Sequence, residues 1–231
     1  MYHNAPPCSP HDIDWNQVFF NECAQSRRHL LNELAGPAIP QRIIDKIDKA
    51  IENNGLTITN AQFLAQLATD EVYQSQIMAH PSRQGFHERV QIKHFSGCNP
   101  RLNGYKAQGV QQLITIPTNP NSKNWVDCVV EFKDSTGAQR CAYGSMKFAR
   151  TQGSHQSRQI TDQKNFLLRC QEYISLGYAQ PSDLFFGAGD GDFFHPNQDN
   201  KNDVVSNAIQ GHFQQIFNGT TGQVIEWLLS F

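Results

Sequence analysis

Three polar side chains stand in a stretch of the sequence that reads as two strands joined by a turn. Asp127 lies near the start of the first strand, and Ser145 and Lys147 lie near the end of the second. Side chains two positions apart on a strand share a face, so Ser145 and Lys147 point together and cross-strand pairing can bring them towards Asp127. A carboxylate is a ligand that Mg²⁺ prefers, and a lysine stabilises developing negative charge. These are groups that metal-assisted hydrolysis of a phosphodiester requires.

These residues need a sheet and helices to hold them. Residues 125–132 and 140–148 are rich in strand-forming side chains and are separated by a turn at 133–137, which predicts a hairpin. The flanking predictions are a short helix at 86–95, a strand at 111–117, a loop at 117–123, a polar helix from about 156 to Gly177, a strand at 183–186, a loop at 187–203 and a last helix at about 204–217. This order predicts an α/β or α+β core with a mixed sheet flanked by helices.

The first third of the chain reads as helical. Apolar residues recur at helical spacing up to Gly36-Pro37, again from about Pro40 to residue 53, and again from Thr59 or Asn60 to Ile77. Such stripes are typical of core packing rather than of a partner-binding groove. We expect an N-terminal helical region, residues 1–81, packed on a core of residues 82–231, in a single compact domain overall.

The segment from Trp125 to Lys147 resembles the core of the PD-(D/E)xK nucleases. The sequence departs from that pattern in two places, because Val126 replaces the usual Pro and Ser145 replaces the usual acidic residue, giving Ser145-Met146-Lys147. A Ser-x-Lys variant is familiar among restriction enzymes, where the helix after the lysine supplies the missing carboxylate. In this sequence that helix offers Asp162 and Glu172, and Asp162 is preferred because it is nearer to the lysine.

A second register also spells an acidic-x-Lys motif, Glu131-Phe132-Lys133. Its partner aspartate should lie upstream, but residues 81–126 contain no Asp. Asp127 is a poor substitute, because on one extended strand it would lie about 13 Å from Glu131 at roughly 3.3 Å per residue. The register of Ser145 and Lys147 is therefore preferred.

Two further segments fit the resemblance. The segment from Ser82 to Glu88 is similar to the first core helix of many restriction enzymes, so Glu88 is a candidate catalytic residue and metal ligand, with a solvated helix glutamate as the alternative. The segment after Lys147 is rich in hydrogen-bond donors of the kind that contact phosphate oxygens and base edges. The candidate DNA-binding residues there are Arg150, Gln152, Ser154, His155, Gln156 and Arg158. The alternative is an ordinary polar loop and helix start.

The composition limits other functions. A net charge of −2 argues against gripping nucleic acid by bulk electrostatics but does not exclude a specific DNA enzyme. No segment resembles a signal peptide or a membrane span, and six scattered cysteines without a C-x-x-C pair suggest neither a zinc ribbon nor a disulfide framework. A reducing cytoplasm is the simplest location. The Gly- and Asp-rich run at 187–192 lacks the spacing of an EF-hand, so a calcium loop is disfavoured.

The resemblance implies a bacterial, cytoplasmic type II restriction endonuclease. It implies Mg²⁺ as cofactor, double-stranded DNA with a short, palindromic site as substrate, products with 5′-phosphates, a homodimer and a cognate methyltransferase for the same site. Asp127, Asp162 and Glu88 would hold the metal, Lys147 would act on water and the phosphate, and Ser145 would support the site. Two alternatives stay open: a non-catalytic DNA-binding protein of the same fold, and a cation-dependent enzyme unrelated to DNA.

Overall fold

The computed structural model describes residues 9–78, 84–109, 113–116, 119–149, 154–194, 201–209 and 214–231. The helices are α1 (Trp15–Leu34), α2 (Gln41–Asn53), α3 (Asn60–Leu67), α4 (Glu71–Ile77), α5 (Gln84–Cys98), α6 (Ser154–Ser175), α7 (Lys201–Ser206) and α8 (Thr221–Leu229). The strands are β1 (Asn103–Lys106), β2 (Leu113–Ile116), β3 (Asn119–Trp125), β4 (Cys128–Lys133), β5 (Gln139–Phe148), β6 (Asp183–Asp190) and β7 (Ile216–Gly219).

Contacts divide the chain into two compact units. The helical unit contains residues 14–83, and the sheet unit contains the rest of the chain, with residues 9–13 joining residues 84–231. The division falls close to the predicted boundary at residues 81 and 82. That the chain forms a single domain stays a prediction.

The helical unit has its own core, formed by α1 to α4. Ile43 and Ile47 project from α2 and are buried with Phe63 and Leu67 of α3. The predicted third helix is interrupted, because Asp70 accepts a hydrogen bond from the backbone N–H of Val72 at 2.8 Å and so begins a new helix, α4. The expectation of one helix up to residue 77 is therefore wrong.

The sheet unit is built on a five-stranded mixed sheet in the order β1-β4-β5-β6-β7. Strands β1, β4 and β5 pair antiparallel, whereas β6 runs parallel to β5 and β7 runs parallel to β6. Strands β2 and β3 form a separate two-stranded sheet. The mixed α/β architecture and the β4–β5 hairpin confirm the fold predicted from the sequence.

Helices cover both faces of this sheet. Helices α5 and α8 pack on one face, where Ile92, Phe95 and Ile225 meet Met146 of β5. Helix α6 packs on the other, where Phe166 and Leu167 meet Phe185 of β6. Because side chains alternate along a strand, Ser145 and Lys147 of β5 lie on the α6 face, opposite to Met146. None of the helices that the structure describes is long and apolar enough to span a membrane.

Three predictions about the sheet unit were wrong. Residues 119–123, predicted as part of a loop, belong to β3, because β3 pairs with β2 from Leu113 opposite Trp125. Residues 187–190 continue β6 rather than begin a loop, and the predicted helix at 204–217 is wrong, because α7 ends at Ser206 and β7 begins at Ile216. The glycines in β6 and β7 mask the strand pattern in the sequence, since strands are normally rich in β-branched and aromatic residues.

Candidate active site

The hairpin brings Asp127, Ser145 and Lys147 together. The Nζ of Lys147 donates to Oδ2 of Asp127 at 3.1 Å. The same oxygen accepts from the Ser145 hydroxyl at 3.3 Å and from the backbone N–H of Met146 at 2.8 Å. One carboxylate oxygen of Asp127 thus lies among three donors of β5, two of them side chains on the α6 face of the sheet.

The backbone of Asp127 is fixed on both sides, just before β4 begins. Its N–H donates to the carbonyl of Gly144 at 2.8 Å, and its carbonyl accepts from the N–H of Ala107 at 3.2 Å. Its side chain keeps 22% of its surface exposed, and that of Lys147 keeps 16%. Within the part of the chain that is described, Oδ1 of Asp127 accepts no hydrogen bond, so this oxygen is available to a ligand.

Glu88 approaches the same region from α5. Burial raises the pKa of the Cys128 thiol well above its usual range, and the negative charges of Asp127 and of Glu88 raise it further. One helical turn after Glu88, Nε2 of Gln91 donates to the backbone carbonyl of Lys147 at 3.3 Å. The same face of α5 therefore carries Glu88 towards the end of β5.

The two acidic residues of α6, Asp162 and Glu172, are both exposed. Among the described residues, no hydrogen bond or ion pair joins either of them to Asp127. That Asp162 is a metal ligand stays a prediction. Asp162 was expected on the basis of its distance along the chain from Lys147. The position that faces the sheet is its neighbour Gln163, which is fully buried. The structure thus turns Gln163, not Asp162, towards the core, since adjacent helix positions are about 100° apart.

The predicted DNA-binding residues are only partly described. Arg150 and Gln152 lie outside the described residues, and only the backbone of Ser154, His155 and Gln156 is described, as the first turn of α6. Arg158 is exposed on the same helix.

The competing register is placed differently. Glu131 accepts a hydrogen bond from the hydroxyl of Tyr105 at 2.6 Å, and Lys133 is exposed at the end of β4. Glu131 and Lys133 lie near the end of β4 that leads into the turn to β5, whereas Asp127 lies just before the other end of β4. In the described structure, the lysine paired with Asp127 is Lys147.

Two buried polar residues near the end of β5 were not singled out from the sequence. Asp190, at the end of β6, accepts from Gln91 at 2.8 Å and from the Thr221 backbone N–H at 2.9 Å, and burial raises the pKa of its carboxyl. Gln163 lies on the opposite face of the sheet. The signal for Gln163 in the sequence is a polar residue within the stripe that includes Phe166, Leu167 and Cys170.

The oxygen donors of the site fit a hard divalent cation. Oδ1 of Asp127 accepts no hydrogen bond from a described residue, and Glu88 provides a second carboxylate one turn before Gln91, which meets the end of β5. No group of three or more His, Cys, Asp and Glu side chains suited to a metal occurs among the described residues. Two carboxylates nevertheless fit Mg²⁺, which is usually held by one or two carboxylates together with water and substrate phosphates.

Comparison of the chain with protein-family models, with curated proteins and with solved structures gave no match. The interpretation of the site therefore depends on its own geometry.

Proposed function

We propose that this protein is a Mg²⁺-dependent deoxyribonuclease of the type II restriction kind, which hydrolyses phosphodiester bonds of double-stranded DNA. The observation that carries the proposal is the pairing of Asp127 Oδ2 with Lys147 Nζ at 3.1 Å on adjacent strands of a mixed sheet. Glu88 adds a second carboxylate one helical turn before Gln91, whose side chain donates to the Lys147 carbonyl. A carboxylate pair beside a lysine suits the hydrolysis of a phosphate ester.

In this proposal, Asp127 and Glu88 would hold Mg²⁺ through carboxylate oxygens, and the cation would activate water and neutralise phosphate charge. The Lys147 ammonium orients the attacking water and donates to the phosphate oxygen on which negative charge develops. The Ser145 hydroxyl and the Met146 N–H hold the Asp127 carboxylate in place. Water adds to phosphorus and the bond to the 3′ oxygen breaks, which leaves a 5′-phosphate and a 3′-hydroxyl.

Further features of the proposal come from the resemblance to PD-(D/E)xK enzymes. They are a short palindromic recognition site, a homodimer whose symmetry matches that site, a methyltransferase that modifies the same sequence, and a location in the bacterial cytoplasm. The sequence specificity would reside in a few side chains that contact base edges.

The test is incubation of the full chain with phage-length duplex DNA, with and without about 10 mM Mg²⁺, an excess for a weak aqueous Mg²⁺ site. We expect discrete fragments that require the cation. The Lys147→Ala variant should bind the same DNA in a gel-shift assay and leave it intact. Cleavage by this variant at the wild-type rate would remove Lys147 from the proposal.

The other outcomes separate the alternatives. DNA that is bound but stays intact with Mg²⁺ and Mn²⁺ would favour a non-catalytic DNA-binding protein. Intact DNA together with cation-dependent binding of a ligand that is not a nucleic acid would favour an enzyme unrelated to DNA. Either result would remove the catalytic roles of Asp127 and Lys147.

A further inference from the structure

Gln163 carries a buried oxygen atom that has no partner in the described part of the chain. The side chain is fully buried on the sheet-facing side of α6. Its Nε2 donates to Oδ1 of Asn218 at 2.6 Å, whereas its Oε1 accepts no hydrogen bond from any described residue. Buried acceptors are normally satisfied, so this oxygen calls for a donor from outside the described protein atoms.

The orientation of the amide is fixed by its neighbours. Asn218 donates through Nδ2 to the backbone carbonyl of Asn202 at 2.9 Å, so the Oδ1 of Asn218 is its acceptor. Gln163 must therefore present its N–H₂ group to Asn218 and its oxygen elsewhere. The hydrogen-bond network, rather than a choice between two similar atoms, determines which way the amide points.

The Gln163 amide lies on the same face of the sheet as Ser145, one strand away from it. Asn218 of β7 pairs with Gly187 of β6, and Gly187 pairs with Ser145 of β5, so the three form one row across the sheet. A Cβ on Gly187 would lie 2.6 Å from Nε2 of Gln163, which places the amide directly above this glycine. The amide therefore lies one strand away from Ser145, because the axes of β5 and β6 are about 4.8 Å apart.

We propose that Gln163 belongs to the cation site and that its Oε1 accepts a hydrogen bond from water in the hydration shell of the divalent cation. Ser145 contributes no carboxylate to this row, and Gln163 supplies a neutral oxygen beside it. Mg²⁺ retains several of its waters in protein sites, and acceptors that hold such waters contribute to affinity. This inference rests on the proposed cation-dependent function and adds a residue that positions the cation.

The test measures Mn²⁺ binding to the full chain without DNA, from the electron paramagnetic resonance signal of free Mn²⁺. We expect Asp127→Ala to abolish binding. We expect Gln163→Leu to weaken it about 10-fold, at the lower end for residues that act around a metal. Gln163→Glu places a carboxylate at the same position and should tighten binding. Mn²⁺ should also raise the thermal unfolding temperature of Gln163→Glu more than that of the wild type.

Gln74 provides a matched control in the helical unit. It is also buried, donates through Nε2 to the Leu67 carbonyl at 3.0 Å and has an unpaired Oε1. The Gln74→Leu and Gln74→Glu variants should lose stability without changing Mn²⁺ affinity.

Three results would contradict the inference. If Mn²⁺ binding depends on Asp127 but is unchanged in folded Gln163→Leu, the inference fails and the proposed function stands. If Gln163→Glu folds and binds Mn²⁺ no more tightly than the wild type, the amide does not face the cation. If the wild type binds no Mn²⁺ and cleaves no DNA with Mg²⁺, both proposals fail.

Discussion

The Nζ of Lys147 lies 3.1 Å from Oδ2 of Asp127, although the two residues are 20 positions apart in the chain. Both side chains remain partly exposed, at 16% and 22% of their surface. Ion pairs that are largely removed from solvent add little net stability, because the cost of desolvating both charges offsets much of their attraction. The pair therefore contributes little to the stability of the fold, and we assign it a role in the reaction.

Neutralising this pair should affect activity far more than stability. We expect the free energy of unfolding to change by less than about 1 kcal/mol when Lys147→Met and Asp127→Asn are combined, because neither charge is then left without its partner. The same variants should reduce DNA cleavage at least about 100-fold, as expected when a group that stabilises developing charge is lost. Urea unfolding and initial cleavage rates measure the two effects. A loss of several kcal/mol with unchanged cleavage would assign the pair a structural role.

Substitutions in the competing register, Glu131 and Lys133, should leave DNA cleavage nearly unchanged. Lys133 is exposed, and Glu131 is bonded to the hydroxyl of Tyr105. We expect Lys133→Met and Glu131→Gln to cleave DNA within about 2-fold of the wild-type rate, since surface substitutions are usually near neutral. Loss of cleavage in Lys133→Met, with full activity in Lys147→Met, would transfer the catalytic role to this register.

Local patterns were sufficient to predict the hairpin and its polar residues. Residues 125–132 and 140–148 combine strand-forming side chains with an intervening turn, and the pairing of β4 with β5 follows from these features. The α2 stripe was equally clear, because its isoleucines recur at helical spacing. In these segments the local preference and the final packing agree.

Long-range packing determined the features that could not be predicted. Gly187 and Gly189 lack strand-forming side chains, yet β6 continues through them. Gln163, Asn218 and Phe194 occupy the space that side chains at these two positions would need. Likewise, the choice between Asp162 and Gln163 depends on how α6 rotates against the sheet. A distance along the sequence does not specify that rotation.

Gly187 should not tolerate a side chain. A Cβ at this position would collide with Oδ1 of Asn218 and lie 2.6 Å from Nε2 of Gln163. We expect Gly187→Ala to destabilise the protein by about 1–3 kcal/mol through overpacking. Gly97 in α5 is the control, because a methyl group added there would meet no other atom within 4 Å and Ala favours helices. Equal unfolding free energies for the two variants would contradict the packing around Gln163.

Asp190 and Asp134 should respond to pH in opposite directions. Burial raises the pKa of the Asp190 carboxyl above its value of about 3.9 in the unfolded chain. Its favourable contribution to the free energy of unfolding is therefore fully present below that unfolded pKa. The contribution is lost as the pH rises through the pKa of the folded protein. Hydrogen bonds from Thr136 and Arg140 lower the pKa of the Asp134 carboxyl. Its contribution is present above the unfolded pKa and is lost as the pH falls.

Substitution by asparagine removes each titration and keeps the size of the side chain. The loss of unfolding free energy caused by Asp190→Asn should be largest near pH 3 and decrease towards pH 7. The loss caused by Asp134→Asn should be largest at about pH 7 and decrease as the pH falls. Unfolding by urea across this range measures both costs in the same protein. Parallel pH profiles would mean that Asp190 does not keep a raised pKa in the folded protein. In that case its contacts with Gln91 and Thr221 would outweigh the effect of burial, since hydrogen bonds to a carboxylate favour its charged form.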